Sequence, residues 1–94
     1  MPGYVLLELE IFDKNQLEEY KKLAPATLQA HEGKLIVRGG EQIVLEGDWN
    51  PERVVIIEFP SVEKAKEWYH SDAYQEASVF RNKAAKTKII LFAG

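Results

Sequence analysis

Residues 4–11 alternate, with Val5, Leu7, Leu9 and Ile11 on one side of an extended chain and Tyr4, Leu6, Glu8 and Glu10 on the other, which is the two-residue period of a strand. Asp13 offers a helix N-cap. Behind it Leu17, Tyr20, Ala24, Leu28 and His31 recur at helical spacing, so a helix is predicted to run to Gly33 as its C-cap. Pro25 falls inside that stretch, removing a backbone donor and crowding the preceding turn, and predicts a kink or two short helices meeting near Leu23 and Ala24. Lys34 to Arg38 predicts a second strand, interrupted at Gly39 and Gly40 and resumed over Gln42 to Glu46, because paired glycines mark a bulge or bend. After the turn-like run Gly47 to Pro51, Arg53 to Phe59 is almost continuously apolar, as in a central strand covered on both faces. Ser61 caps a short helix whose inner stripe is Val62, Ala65 and Tyr69. Ser71 and Asp72 open another helix over Ala73 to about Ala84, and Thr87 to Phe92 makes the last strand.

The order is βαββαβ with the second helix broken in two. It predicts a ferredoxin-like α+β fold over residues 1–94, a single domain with an antiparallel four-stranded sheet and the helices on one face. That leaves the other face bare. Val54 and Ile56, Val55 and Ile57, Ile89 and Leu91, and Ile90 and Phe92 make both sides of two strands apolar, which is more apolar surface than a soluble monomer usually exposes. A homodimer joined through the open sheet face is therefore expected, its two sheets forming a barrel-like core. Length points the same way, since a chain of 94 residues buries only roughly 60–65% of its unfolded surface.

Composition removes several classes of function. There is no cysteine, which excludes disulfides, thiol catalysis and thiolate metal sites. Twelve Lys and Arg against fifteen Asp and Glu give a net charge of −3, and the basic residues are scattered, so no nucleic-acid footprint is present. No segment approaches the roughly 20 apolar residues that span a bilayer. The start, Met1-Pro2-Gly3-Tyr4, has no export pattern, and a cytoplasmic location is expected.

The segments Leu23-Ala24-Pro25, Val37-Arg38-Gly39-Gly40, Leu45-Glu46-Gly47-Asp48-Trp49, Pro51-Glu52-Arg53, Ile57-Glu58-Phe59-Pro60-Ser61 and Trp68-Tyr69-His70-Ser71, with Tyr74, resemble the bacterial domain-of-unknown-function family 1330 over essentially the whole chain. The resemblance implies a fold of the dimeric α/β-barrel superfamily. It implies no activity, although that superfamily includes cofactor-free monooxygenases, lactone isomerases and haem-handling enzymes.

Candidate chemistry begins with the three arginines. Arg38 precedes the glycine pair, Arg53 opens the central strand, and Arg81 follows Tyr74 by seven residues on one helical face. A guanidinium binds a carboxylate or enolate through two parallel hydrogen bonds; the structural alternative is an ion pair with Glu8, Glu10, Glu46, Asp48 or Glu58. Asp48 and Trp49 in the turn, with Trp68 and Tyr69 near a helix end, supply the mixed apolar and polar lining of a pocket, or else pack as core and interface. The ligand-binding set is thus Arg38, Asp48, Trp49, Trp68, Tyr69 and Arg81. His31 and Glu58 are the weak catalytic candidates: His31 equally suits the negative end of a helix, and Glu58 becomes an acid or base only if Glu8 lies beside it across neighbouring strands. Two isolated histidines make no metal site, and neither a metal nor a cofactor is expected. Two functions fit. One is a small-molecule site between sheet and helices for an acidic or phenolic compound, with cofactor-free monooxygenase or isomerase-like chemistry. The other is a non-catalytic dimer that binds a metabolite or another protein.

Overall fold

The alternation of the first strand is expressed directly. In the computed structural model, which describes all 94 residues, β1 (Gly3–Ile11) buries Val5, Leu7 and Leu9 and turns Tyr4, Leu6 and Glu8 to the opposite side. Helix α1 (Lys14–Ala30) follows, then β2 (Lys34–Arg38) and β3 (Arg53–Phe59). Two helices, α2 (Val62–His70) and α3 (Asp72–Ala84), lead into β4 (Ala85–Ala93). The sheet order is β2-β3-β1-β4, antiparallel throughout. Val5 stands opposite Ile57 and Leu91, and Leu7 opposite Val55 and Ile89, so three strands present one aliphatic face to the helices.

Capping explains why the helices start where they do. Asp13 accepts hydrogen bonds from the backbone N–H groups of Asn15 and Gln16 at 3.1 and 3.2 Å, Ser61 from Lys64 at 3.1 Å, and Ser71 from Tyr74 at 3.2 Å. Ser71 also ends α2, which makes it the hinge between the two short helices. Against the sheet these helices bury Trp68, Tyr74, Ala65 and Ala77 with Val5, Leu7, Ile57 and Phe59 in one cluster. Each large apolar side chain in it contributes about 1.5–3 kcal/mol.

Three expectations need correction. Of the two alternatives at Pro25, a pair of short helices is overturned: α1 is one helix of 17 residues running through the proline, with Leu17 and Tyr20 before it and Thr27 and Leu28 after it packed inward, which outweighs one missing rung. Gly33 is not the left-handed residue that closes α1. Glu32 takes that conformation, at φ 59°, and Gly33 donates back to the Leu28 carbonyl at 2.8 Å in a Schellman arrangement. Position 33 needs glycine for space, since a Cβ there would sit 2.7 Å from the Phe59 ring. Finally, β2 does not resume over Gln42 to Glu46. It ends at Arg38, its irregularity lies between Leu35 and Val37, and residues 39–52 form an irregular connection in which Ile43 is 73% and Leu45 92% exposed. The alternation of that segment is real, but no strand edge is beside it to supply hydrogen bonds.

Candidate functional site

Between the sheet and α1 the side chains leave a cavity of about 140 Å³. Its wall is aliphatic on the sheet side, from Leu7, Leu9, Val55 and Ile57, and closed on the other by Ala24, Pro25 and Leu28 of α1 and the Trp68 ring. Of its lining residues only Tyr20, Lys21, Arg53 and Trp68 carry polar side-chain atoms, and the surface exposed to the cavity is almost wholly apolar. Lys21 is exposed and Arg53 half-buried, so the charged part of the wall faces solvent and the apolar part faces the core. For scale, a cavity of about 150 Å³ walled by aliphatic side chains holds one benzene ring.

Arg53 reaches this wall because of its register. Leu9 pairs with Arg53 across β1 and β3, which puts the arginine on the helix side with Val55 and Ile57. Its Nη2 donates to the Arg38 carbonyl at 3.2 Å, while its Nε is enclosed and has no acceptor. The side chain lies across Gly39, whose φ is +76° and where a Cβ would come within 2.6 Å of that Nε. None of the three arginines is in an ion pair; the pairs present are Lys21 with Glu18, Lys22 with Glu19 and Lys64 with Glu32.

A polar chain runs from the cavity wall into the protein. Arg81, 6% exposed, donates through Nη1 to the Tyr74 hydroxyl at 2.7 Å, and that hydroxyl is 2.9 Å from the hydroxyl of Tyr20. Nη2 of Arg81 donates to Asn82 at 3.0 Å. Burial first, and then the adjoining Tyr74 phenol, push the Tyr20 phenol far above its ordinary range, with Arg81 opposing them, so Tyr20 stays protonated. Trp68 is held separately: its Nε1 donates to Thr27 Oγ1 at 3.1 Å, and that hydroxyl donates to the Ala24 carbonyl at 2.7 Å.

The sequence-predicted residues fall in several places. Trp68 lines the cavity, and Arg81 reaches its wall through Tyr74 and Tyr20. Tyr69 borders a separate groove between α2 and β4 with Trp68, Ile89 and Leu91. Trp49 lies across the sheet, its Nε1 donating to Glu8 at 3.0 Å; Asp48 is in the exposed turn, and Arg38 is exposed at the end of β2. Of the catalytic candidates, His31 bonds the Thr27 carbonyl through Nδ1 at 3.1 Å, and Glu58 is on the open face, where it accepts from Tyr4 at 3.1 Å and raises that phenol's pKa. Glu8 does not stand beside Glu58: it pairs with Val54, four residues along the strand, a separation of roughly 13 Å. No three His, Asp or Glu side chains cluster. Arg53 and Tyr20 are the wall residues that sequence reasoning left out of the site. A strand's first residue opposite an inward leucine was the available signal for Arg53, and helical spacing marked Tyr20 only as core.

The model of a domain of unknown function, DUF1330, matches residues 2–94. The chain belongs to this family. Among solved structures, a protein of unknown function from Rhodopseudomonas palustris is similar to this DUF1330 chain with TM-score 0.80 and 21% identity, over 99% of this chain and 82% of the other. A dimeric protein of unknown function with a ferredoxin-like fold from Bacteroides fragilis matches with TM-score 0.62 and 11% identity, over 99% and 96%. SnoaB, a cofactor-independent oxygenase from Streptomyces nogalater, matches with TM-score 0.61 and 9% identity, over 99% and 92%. At these identities the likeness is one of fold. Among curated proteins none matches the chain. No helix is long and apolar enough to cross a membrane.

Proposed function

We propose that this DUF1330 protein binds a small molecule of single-ring size in the cavity between sheet and α1, with an acidic group of the ligand at Arg53, and that it does so as a homodimer paired through the open sheet face. The observation that carries the reading is a part-open apolar cavity bordered by the half-buried Arg53, whose guanidinium has no carboxylate partner in the chain. A carboxylate at the wall would meet that guanidinium through charge-assisted hydrogen bonds. The charged residues at the wall are the cations Lys21 and Arg53, with no carboxylate, imidazole or thiol among the lining residues, which suits holding an anion at the edge of an apolar cavity. Homodimer pairing is supported by the exposed Ile90 and Phe92 on the face away from the helices and by the dimeric Bacteroides fragilis structure of the same fold.

Calorimetric titration with benzoate and with neutral benzyl alcohol tests the reading. Benzoate is expected to bind in preference to the alcohol, and Arg53→Gln to abolish that preference while leaving the melting temperature within a few degrees. At a hundred times its dissociation constant, benzoate stabilises the fold by about 2.7 kcal/mol. If neither probe binds, the cavity is packing and the interaction-module reading takes its place.

A further inference from the structure

The two edges of the sheet are protected unequally. β2 is five residues long, has Lys34 and Arg38 at its ends and is irregular between Leu35 and Val37, all features that discourage a further strand from pairing with it. β4 is nine residues long and pairs with β1 along its whole length without a register shift. Its first half carries Lys86 and Lys88, but Ile89 to Phe92 has neither charge, proline nor bulge, so the outward backbone groups there are an open template. Beside that half runs the groove of about 300 Å³ between α2 and β4, with Trp68, Tyr69, Ile89 and Leu91 in its walls. The same chain holds a segment with the complementary need. Gln42 to Glu46 alternates like a strand, yet none of its backbone groups bonds to other backbone, and Ile43 and Leu45 stand in solvent. Its one hydrogen-bonded side chain is Gln42, which donates to the Pro51 and Glu52 carbonyls at 2.9 and 3.2 Å.

Segment and edge match in detail. Laid antiparallel on β4 with Glu46 opposite Lys88, the segment sets Leu45 opposite Ile89, Val44 opposite Ile90 and Ile43 opposite Leu91. Ile43 and Leu45 then share the helix side with Ile89 and Leu91 and enter the groove, while Val44 joins Ile90 on the open face. Glu46 meets Lys88, and neither has an ion pair within the chain. A slip of one residue sets Glu46 against Ile89 on the apolar side, so the register is specified. Within one chain β3 and β1 stand between β2 and β4, so a segment that continues from β2 meets a β4 edge only on a second copy. Two sheets joined face to face about a two-fold axis along the strands bring β4 of one against β2 of the other. The sense is antiparallel, because three antiparallel pairings separate these strands within a chain.

We propose that residues 42–46 of each protomer cross to the other and add a fifth strand to its sheet at β4, with Ile43 and Leu45 filling the groove between α2 and β4. This rests on the homodimer reading above and states how the two sheets are joined, by exchanged arms at the edges as well as by contact of the apolar faces. The main-chain bonds of the added strand supply affinity, and its alternate side chains supply specificity for a second copy of this chain.

The chain has no cysteine, so disulfide trapping has no background. Two double variants of the full chain, Leu45→Cys with Ile89→Cys and Val44→Cys with Ile90→Cys, are oxidised and run on a non-reducing gel. Successive antiparallel pairs alternate between Cα separations of about 4.5 and 5.5 Å, both within reach of a disulfide. At least one variant is expected to run mostly as a covalent dimer that reductant reverses. Leu45→Cys with Val79→Cys, whose second cysteine is exposed on α3, is expected to give none. Leu45→Asp supplies a second readout: in sedimentation velocity it should weaken self-association by roughly tenfold or more, with an unchanged circular dichroism spectrum, since within its own chain this side chain is almost wholly exposed. A dimer in which neither pair cross-links, or one that Leu45→Asp leaves at wild-type affinity, overturns the arm exchange while pairing through the open face stands. A wild-type chain that sediments as a monomer overturns both. Should the cysteine variants not fold, Leu45→Asp decides alone.

Discussion

The two faces of the sheet are made from the same strands and largely the same kind of side chain, yet they are finished differently. On the helix side Val5, Leu7 and Ile57 are sealed by Trp68, Tyr74 and Ala65, and the polar atoms that enter are mostly bonded: the Trp68 indole to Thr27, Arg81 to Tyr74 and Asn82. On the other side Ile90 is 52% and Phe92 45% exposed, and the cover comes from the irregular connection 39–52, which shields Val54 but leaves Ile43 and Leu45 in solvent. The comparison teaches that apolarity by itself does not make a core. The helix face is covered by hydrogen-bonded helices whose side chains pack against the strands. The open face has apolar side chains without an element to cover them, which is the condition a second copy would relieve.

The largest effect expected is on the sealed face. Trp68→Ala should lower unfolding free energy by about 3–5 kcal/mol in urea titration, because it empties the centre of the core. A loss below about 1 kcal/mol would mean that the two faces differ less than their packing says. On the open face the double substitution Ile90→Glu with Phe92→Glu should weaken self-association by roughly 100-fold or more, seen in sedimentation velocity, since charges would be buried opposite apolar groups. An unchanged dimer would place the interface elsewhere. Thr27→Val retains shape and removes the hydroxyl that the Trp68 indole donates to; a loss of about 1–3 kcal/mol separates the value of satisfying that N–H from the value of the ring.

The smallest effect concerns alkaline pH. The folded pKa of Tyr20 is raised above its unfolded value, so its contribution is fully present below about pH 10 and is lost above it, as the unfolded chain ionises first. One such group costs about 1.4 kcal/mol in all between pH 9 and 11, and Tyr20→Phe should remove a loss of about that size from unfolding curves across that window. An unaltered slope would show that the Tyr20 hydroxyl is as well hydrated as a free phenol.

Much of the fold was legible because its determinants are local. Alternation in residues 4–11, the Ser61 and Ser71 caps and the run from Arg53 to Phe59 each act within a few positions. Pro25 misled because a lost rung is local while its compensation, packing on either side, is not. Gln42 to Glu46 misled for the converse reason: a strand exists only with a partner edge, and alternation does not say whether one is there. The site was less legible. Trp68 and Arg81 were readable as candidates, but Arg53 joins the wall through register with Leu9, and Tyr20 becomes more than core through a hydroxyl 54 residues away. Glu8 and Glu58 show the same dependence, since a shift of register decides whether two carboxylates meet.

The seat of Arg53 on Gly39 has an evolutionary consequence. Two separate demands keep position 39 a glycine, its left-handed backbone and the space the arginine side chain occupies. Only the second is relieved when residue 53 is shortened, and the first admits asparagine. Drift at these two positions should therefore be ordered: a lineage that gives up the arginine can afterwards accept asparagine at 39, whereas one that changes the glycine first must displace the guanidinium. The pair is a ratchet, and the order in which it turns follows from one close approach in the fold.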